Sequence, residues 1–419
     1  MKVRNSLLMF AVSCAALTAS GVCATTIDET KLTADDAFVL DYFGFSVAMS
    51  GATVIVGSML DDDNGNDSGS AYLFDTATGT QIAKLTASDG TANDYFGRSV
   101  AVSGTTAIVG NASGAAYLFD VLTGAQIAKL TAGDVAPVDS FGRSVAISGT
   151  TAIVGANGDD GSATHSGAAY LIDVLTGTQI AKLTASDGAA DDSFGISVAI
   201  SGTTAIVGAM FDDDNGTSTG AAYLFDTVTG AQIGKLTASD GAANDWFGGS
   251  VAISGTTAIV GAVGNNGNAN DSGSAYLFDL VTGAQIAKLT ASDGAAADFF
   301  GHSVAISGTT AIVGAYRNSG NSYGSGSAYL FDTVTGAQIA KLAAGDYSST
   351  GYFGYSVAIS GTSATVGAYG ASSEQQESSG AAYLYNFAEP LPAVPLPAGV
   401  WLLSAALGGL SVLRRGRRA

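Results

Sequence analysis

The chain has 419 residues, of which 57 are glycine and 5 proline, with 47% hydrophobic and 12% charged residues. That balance excludes a disordered chain or a helical bundle and suits many short strands joined by glycine turns. The net charge is −20, and six of the 16 Lys+Arg but none of the 36 Asp+Glu lie in the two ends, so the body repels phosphate backbones; this argues against nucleic acid as a partner.

Residues 1–24 read as a secretory signal. Lys2 and Arg4 form a basic start, Leu7 to Leu17 an apolar stretch, and Val22-Cys23-Ala24 a small-residue cleavage site ending at Ala24. Cys14 and Cys23 both fall in this segment, so the body carries neither disulfides nor thiolate metal sites.

A repeat then runs from 25 to 388. Its anchor is Phe-Gly, at Phe43-Gly44, Phe96-Gly97, Phe141-Gly142, Phe194-Gly195, Phe247-Gly248, Phe300-Gly301 and Phe353-Gly354. The spacing is 53 residues, shortened to 45 between the second and third. Self-similarity at that period implies a stacked or radial architecture. The fourth unit shows four strand-length runs: SVAIS (Ser197–Ser201), TAIVGA (Thr204–Ala209), AAYLFD (Ala221–Asp226) and AQIGKLTA (Ala231–Ala238). Each is β-branched or aromatic and is bounded by Gly, Asp, Asn, Ser or Thr. Four strands in each of seven units predict an all-β, seven-bladed β-propeller with four antiparallel strands per blade.

The size gradient agrees. SVAIS offers small Ser and Ala where blades converge on an axis, and the outer runs offer Tyr, Leu, Phe and Ile where sheets splay apart. The region opens on a lone fourth strand, TKLTA (Thr30–Ala34), and closes on a third strand, AAYLYNF (Ala381–Phe387). The N-terminal strand is therefore expected to complete the last blade, removing an exposed edge and tying the ring shut.

These Phe-Gly units resemble the FG-GAP repeats of integrin α-subunit propellers and many bacterial surface proteins. The resemblance implies a seven-bladed propeller and extracellular ligand binding. The family's calcium loop, D-x-D-x-D-G-x-x-D between the first two strands, is replaced here by the short turn SGTT, so that site does not carry over.

In a meander, the loops between strands 2 and 3 share a rim with those between strand 4 and the next strand 1. The variable, acidic segments all belong to that rim, and long loops on a rigid scaffold are where binding usually resides. Asp61, Asp63, Asp67, Asp94, Asp159, Asp212, Asp214 and Trp246 are the candidate ligand-binding residues. Asp61, Asp63 and Asp67, and then Asp212 and Asp214, are also candidate calcium ligands, because oxygens alternating around a glycine suit a hard cation. The plainer reading of the same residues is solvated Asx/Gly turns. The repeated lysines (Lys31, Lys84, Lys129, Lys182, Lys235, Lys288, Lys341) read as structural, their stems covering apolar surface.

No HExxH, P-loop or nucleophile elbow occurs, and neither His165 nor His302 has a nucleophile signature around it, so an enzyme is not expected.

After a proline-containing linker (389–397), residues 398–419 join an apolar run to RRGRRA, whose arginines would stay cytoplasmic. With Val394, Pro395, Leu396, Pro397 and Ala398 this tail resembles the PEP-CTERM class of bacterial sorting signals in its VPLPA variant. That resemblance implies export, membrane contact through the tail alone, and an exosortase-type processing enzyme as a partner. The sequence thus suggests a cell-surface or matrix module that binds an extracellular protein or polysaccharide. The alternative is a purely structural matrix component, and a glycan hydrolase has the least support.

Overall fold

The four runs of the fourth unit form β14 (Ser197–Ser201), β15 (Thr204–Ala209), β16 (Ala221–Asp226) and β17 (Gln232–Leu236), paired antiparallel in that order. Gly202, at a φ of 56°, makes the turn between the first two strands, since the left-handed region is open to glycine without strain. Between the last two, the Asp226 carboxylate accepts hydrogen bonds from the Thr229 N–H and hydroxyl, both at 2.8 Å. This is an Asx-type turn set by the D-x-x-T-G sequence.

The computed structural model describes residues 27–134, 139–318, 324–346, 350–372 and 378–387. The signal with its cleavage site at Ala24, the linker, the VPLPA motif and the tail lie outside the described residues. Within them, seven such four-stranded sheets make a β-propeller. The innermost strands touch around a closed ring: β2 (Phe43–Ser50), β6 (Ser99–Ser103), β10 (Phe141–Ser148), β14, β18 (Phe247–Ser254), β22 (Ser303–Ser307) and β26 (Ser356–Ser360), with β26 against β2.

The N-terminal strand closes the ring as expected, with slightly different limits. β1 spans Ile27–Leu32 and pairs antiparallel with β28 (Ala381–Phe387), from Ile27 opposite Phe387 to Leu32 opposite Ala382. Leu32 packs with Phe43, Tyr72 and Leu384 in a buried cluster between the seventh and first blades. Equivalent apolar clusters fill the other six junctions, each joining one face of a sheet to the opposite face of the next.

The Phe-Gly anchor has two jobs. Each phenylalanine packs edge-on against the tyrosine of its blade's third strand, with ring centroids 5.4–5.6 Å apart. Burying one such side chain contributes about 1.5–3 kcal/mol. The glycine permits close approach of the neighbouring blade: at Gly195, with φ of 90°, a Cβ would lie 2.2 Å from the Ala168 carbonyl oxygen.

Serine, small enough for the crowded axis, adds two full circles of blade-to-blade hydrogen bonds. The first serine of the inner strand donates to the Phe-Gly carbonyl of the next blade at 2.7–2.9 Å, from Ser46 to Gly97 round to Ser356 to Gly44. The last serine accepts from the turn glycine of the next blade at 3.1–3.3 Å. The outer strands depart from the expected filling in one respect. Their Tyr, Leu and Phe are buried, but Ile82, Ile127, Ile180, Ile233 and Ile286 are exposed, because no further layer covers the perimeter.

Candidate functional site

Backbone hydrogen bonds join the loop after strand 2 to the segment entering the next blade, so the two loop types do share one rim. Asn93 donates to Asn66, Tyr95 to Asp67 and Phe96 to Ser68, at 2.8–3.0 Å. The seam between the seventh and first blades is laced the same way, by Phe43 to Ser379 and Leu40 to Ser378.

The outer part of this rim is a belt of cations and carboxylates. Each repeated lysine extends over the tyrosine of its own blade, 5.0–5.6 Å from the ring centroid. Its ammonium pairs with the aspartate of the incoming loop: Lys84 with Asp36, Lys129 with Asp89, Lys182 with Asp134, Lys235 with Asp187, Lys288 with Asp240 and Lys341 with Asp293, at 2.6–2.9 Å. Lys31 on the closing strand pairs likewise with Asp346. The lysines are structural, as expected, and the ion pair is what the sequence did not reveal.

Three candidate aspartates belong to this belt. Asp61, 3% exposed, accepts from Ser70 Oγ (2.9 Å), Tyr72 OH (2.8 Å) and Lys84 Nζ (3.0 Å). Asp159 accepts from Tyr170 OH (2.7 Å) and Lys182 (2.9 Å), and Asp212 from Tyr223 OH (2.5 Å) and Lys235 (3.0 Å). Asn265 and Asn318 take the equivalent place in the fifth and sixth blades, accepting from Ser274 and Ser327. An amide serves there as well as a carboxylate, so the position is a hydrogen-bond acceptor built into the blade.

The electrostatics follow. Burial pushes the Tyr72 and Tyr223 phenols up, and the carboxylates they donate to push them further. Burial alone would depress the Lys84 ammonium, but hydrogen bonds to Asp36, Asp63 and Asp61 outweigh it and raise it.

The calcium candidates divide accordingly. Carboxylate oxygens of Asp36, Asp61 and Asp63 all lie within 4.8 Å of one another, a spacing that could hold a cation. Lys84 Nζ is paired with all three, so an ammonium already supplies the positive charge. Asp214 pairs with Lys235 at 2.5 Å beside Asp212. Asp67 stands apart: its N–H donates to Asp62 and its carboxylate accepts from Asn66. Asp94 is buried and caps its own loop, accepting from the Thr91 N–H (2.7 Å) and Ser113 Oγ (2.5 Å).

Trp246 is half-buried and immediately precedes Phe247-Gly248, a position that is left-handed in every blade. Tyr42, Tyr95, Ser140, Ser193, Phe299 and Tyr352 are its equivalents, with φ of 52–59°. A non-glycine residue costs roughly 1–2 kcal/mol there, and the interblade hydrogen bonds hold it in place.

A second variable position went unrecognised in the sequence. The residue after each Phe-Gly immediately precedes the first serine of the innermost strand, at its rim end around the axial mouth: Phe45, Arg98, Arg143, Ile196, Gly249, His302 and Tyr355. The available signal was that this residue changes from blade to blade between invariant neighbours.

Model matches to the FG-GAP repeat cover residues 27–74, 80–119, 125–172, 178–225, 231–278, 284–331 and 337–385. The chain belongs to the FG-GAP repeat family. Each FG-GAP match begins on a fourth strand and runs through the first three strands of the next blade, so the family's unit is offset from the blade by one strand. That offset leaves β1 as the first element of the first FG-GAP unit and as the outer strand of the seventh blade. Comparison with curated proteins finds no match.

Proposed function

We propose that this FG-GAP propeller is an exported cell-surface or matrix module, binding an extracellular protein or polysaccharide through the rim of 2–3 and 4–1 loops. One observation carries the reading: the turn rim and the lysine belt repeat almost unchanged, whereas loop length and the residues around the mouth differ between blades. A rigid scaffold with one varied face suits recognition. Seven near-equal blades give little of the asymmetric cluster that catalysis needs, which supports a binding role over an enzymatic one. In the same reading, residues 1–24 direct export, and the 398–419 tail with the VPLPA motif (Val394–Ala398) holds the protein at the membrane for an exosortase-type enzyme.

The test is a loop swap. Residues 61–67 and 212–216 are replaced by the short loop of the second blade, Asn111–Gly114, with a thermal melt to verify folding. Binding to the producing cells or their matrix is expected to fall at least tenfold. Undiminished binding by a folded swap overturns the rim reading and favours a structural component without a discrete ligand.

A further inference from the structure

Every repeated lysine of this acidic protein is matched by an aspartate. The three arginines of the body are Arg98, Arg143 and Arg317. Arg317 lies over Phe299 and Tyr316, 5.2 and 5.7 Å from their centroids. Arg98 and Arg143 are different. They immediately precede the first serines of the inner strands of adjacent blades and line one depression at the mouth with Asn111, Ala112 and Ser140. Both are half-buried, and among the described residues no carboxylate lies within ion-pair distance of either. Burial disfavours the Arg98 guanidinium, and among the described residues no carboxylate offsets that cost for either arginine. Such an arrangement is completed by an anion from outside, most favourably a planar carboxylate held by paired N–H donors.

The opposite wall of the mouth is aromatic. His302 packs 4.6 Å from both Tyr316 and Tyr355, Tyr355 lies 4.6 Å from Tyr369 and 5.0 Å from Phe45, and Tyr352 stacks on Tyr369 at 5.1 Å. All are half-buried. Burial pushes the His302 imidazole down to about 4, so His302 is neutral at physiological pH and Arg317, over Tyr316, is the cation beside this wall. Arg98 and Tyr355 influence each other's ionisation although a whole blade separates them in the ring. Asn157 holds in the third blade the position that Tyr316 and Tyr369 hold in the sixth and seventh, and its side-chain carbonyl oxygen is buried without a hydrogen-bond partner.

We propose that the axial mouth binds the chain end of an acidic polysaccharide, its carboxylate on Arg98 and Arg143 and its sugar face against the Tyr355 wall. This rests on the rim reading and names the ligand class. A uronic acid combines the three chemistries present: a carboxylate, an apolar C–H face for aromatic rings, and hydroxyls for tyrosines and amides. A chain end suits the site better than the middle of a polyanion. Repulsion from the acidic surface is screened beyond about 8 Å at physiological ionic strength, whereas the arginines act at contact.

The test is calorimetric titration of the full-length protein with a trisaccharide of galacturonic acid and with a galactose trisaccharide. The acidic sugar is expected to bind at least tenfold tighter. Arg98→Gln and Arg143→Gln should each weaken it about tenfold or more, the effect of losing a charged hydrogen bond, and leave the melt unchanged. Lys129→Gln, which removes an exposed belt cation, should leave affinity unaltered. Equal affinity for the two sugars, no binding of either, or an equal loss in Lys129→Gln overturns the proposal. If Arg98→Gln with Arg143→Gln leaves cell or matrix binding intact while the loop swap abolishes it, the mouth assignment fails and the rim reading stands. Should both leave it intact, the rim reading fails too.

Discussion

The lysine belt and the arginine mouth use cations in opposite ways. In the belt, one lysine per blade is closed off by a tyrosine face and an aspartate from the neighbouring loop, so the charge is spent inside the fold. At the mouth, two adjacent blades present arginines that no carboxylate among the described residues pairs with. What recurs in every blade serves architecture, and what breaks the recurrence is where recognition resides. The repeat itself provides the control, because any position can be compared with its equivalents in the same molecule.

The most severe disruption of the belt is to remove a lysine together with its strand. Deleting residues 26–36 takes away β1, Lys31 and Leu32 and exposes the edge of β28. A melting temperature lower by about 10 °C or more is expected in a thermal scan. An unchanged melt would mean that the ring does not depend on this closure.

Next comes a contrast within the belt. Lys235→Met leaves buried Asp212 without its ammonium and should cost about 3 kcal/mol in denaturant unfolding. Lys129→Met loses a pair that is 42% and 48% exposed and should cost less than about 1 kcal/mol. Equal costs would show that the buried aspartate adds nothing.

Acid sharpens the same point. Hydrogen bonds from Lys129 and Lys182 hold Asp89 and Asp134 below the usual carboxylate range; for Asp187 and Asp240, hydrogen bonds from Lys235 and Lys288 outweigh the opposing effect of burial. Groups depressed in the folded state stabilise it above their unfolded value of about 4, and that stability is lost as pH falls through the folded values. Asp41 acts in the other direction, pushed up to about 6 by burial, so its contribution is lost as pH rises from 4 through 6. Melts between pH 2 and 7 should therefore fall steeply below 4, and Asp41→Asn should reduce the smaller decline toward 6, to which Glu29 and Asp192, also raised by burial, contribute as well.

The smallest effect is expected from calcium. With Lys84 held among Asp36, Asp61 and Asp63, millimolar calcium should shift the melt by less than about 1 °C. A rise of several degrees would show that the ammonium yields its place to the ion.

The fold was legible because every level of the sequence agreed. Strand-length runs, turn residues, the size taper and the surplus fourth strand at Thr30–Ala34 all describe one closed ring. The belt was half legible. Lys235 and Asp187 are 48 residues apart, and nothing local shows that the loop leaving one blade lies against the outer strand of the next. For the same reason Asp61 and Asp212 read as loop carboxylates, although Tyr72 and Tyr223 claim them from inside the sheet. The mouth was the least legible. Arg98, His302 and Tyr355 look unrelated along the chain and become neighbours only when the blades are arranged about the axis.

The pairing of Ile27 with Phe387 has a spatial consequence. A third strand runs away from the loop rim and a fourth strand runs toward it, so the described chain enters and leaves on the turn side, at a single blade. Anything fused at either point projects from the back of the disc, and a tether placed there would orient the open mouth outward, toward whatever approaches the surface.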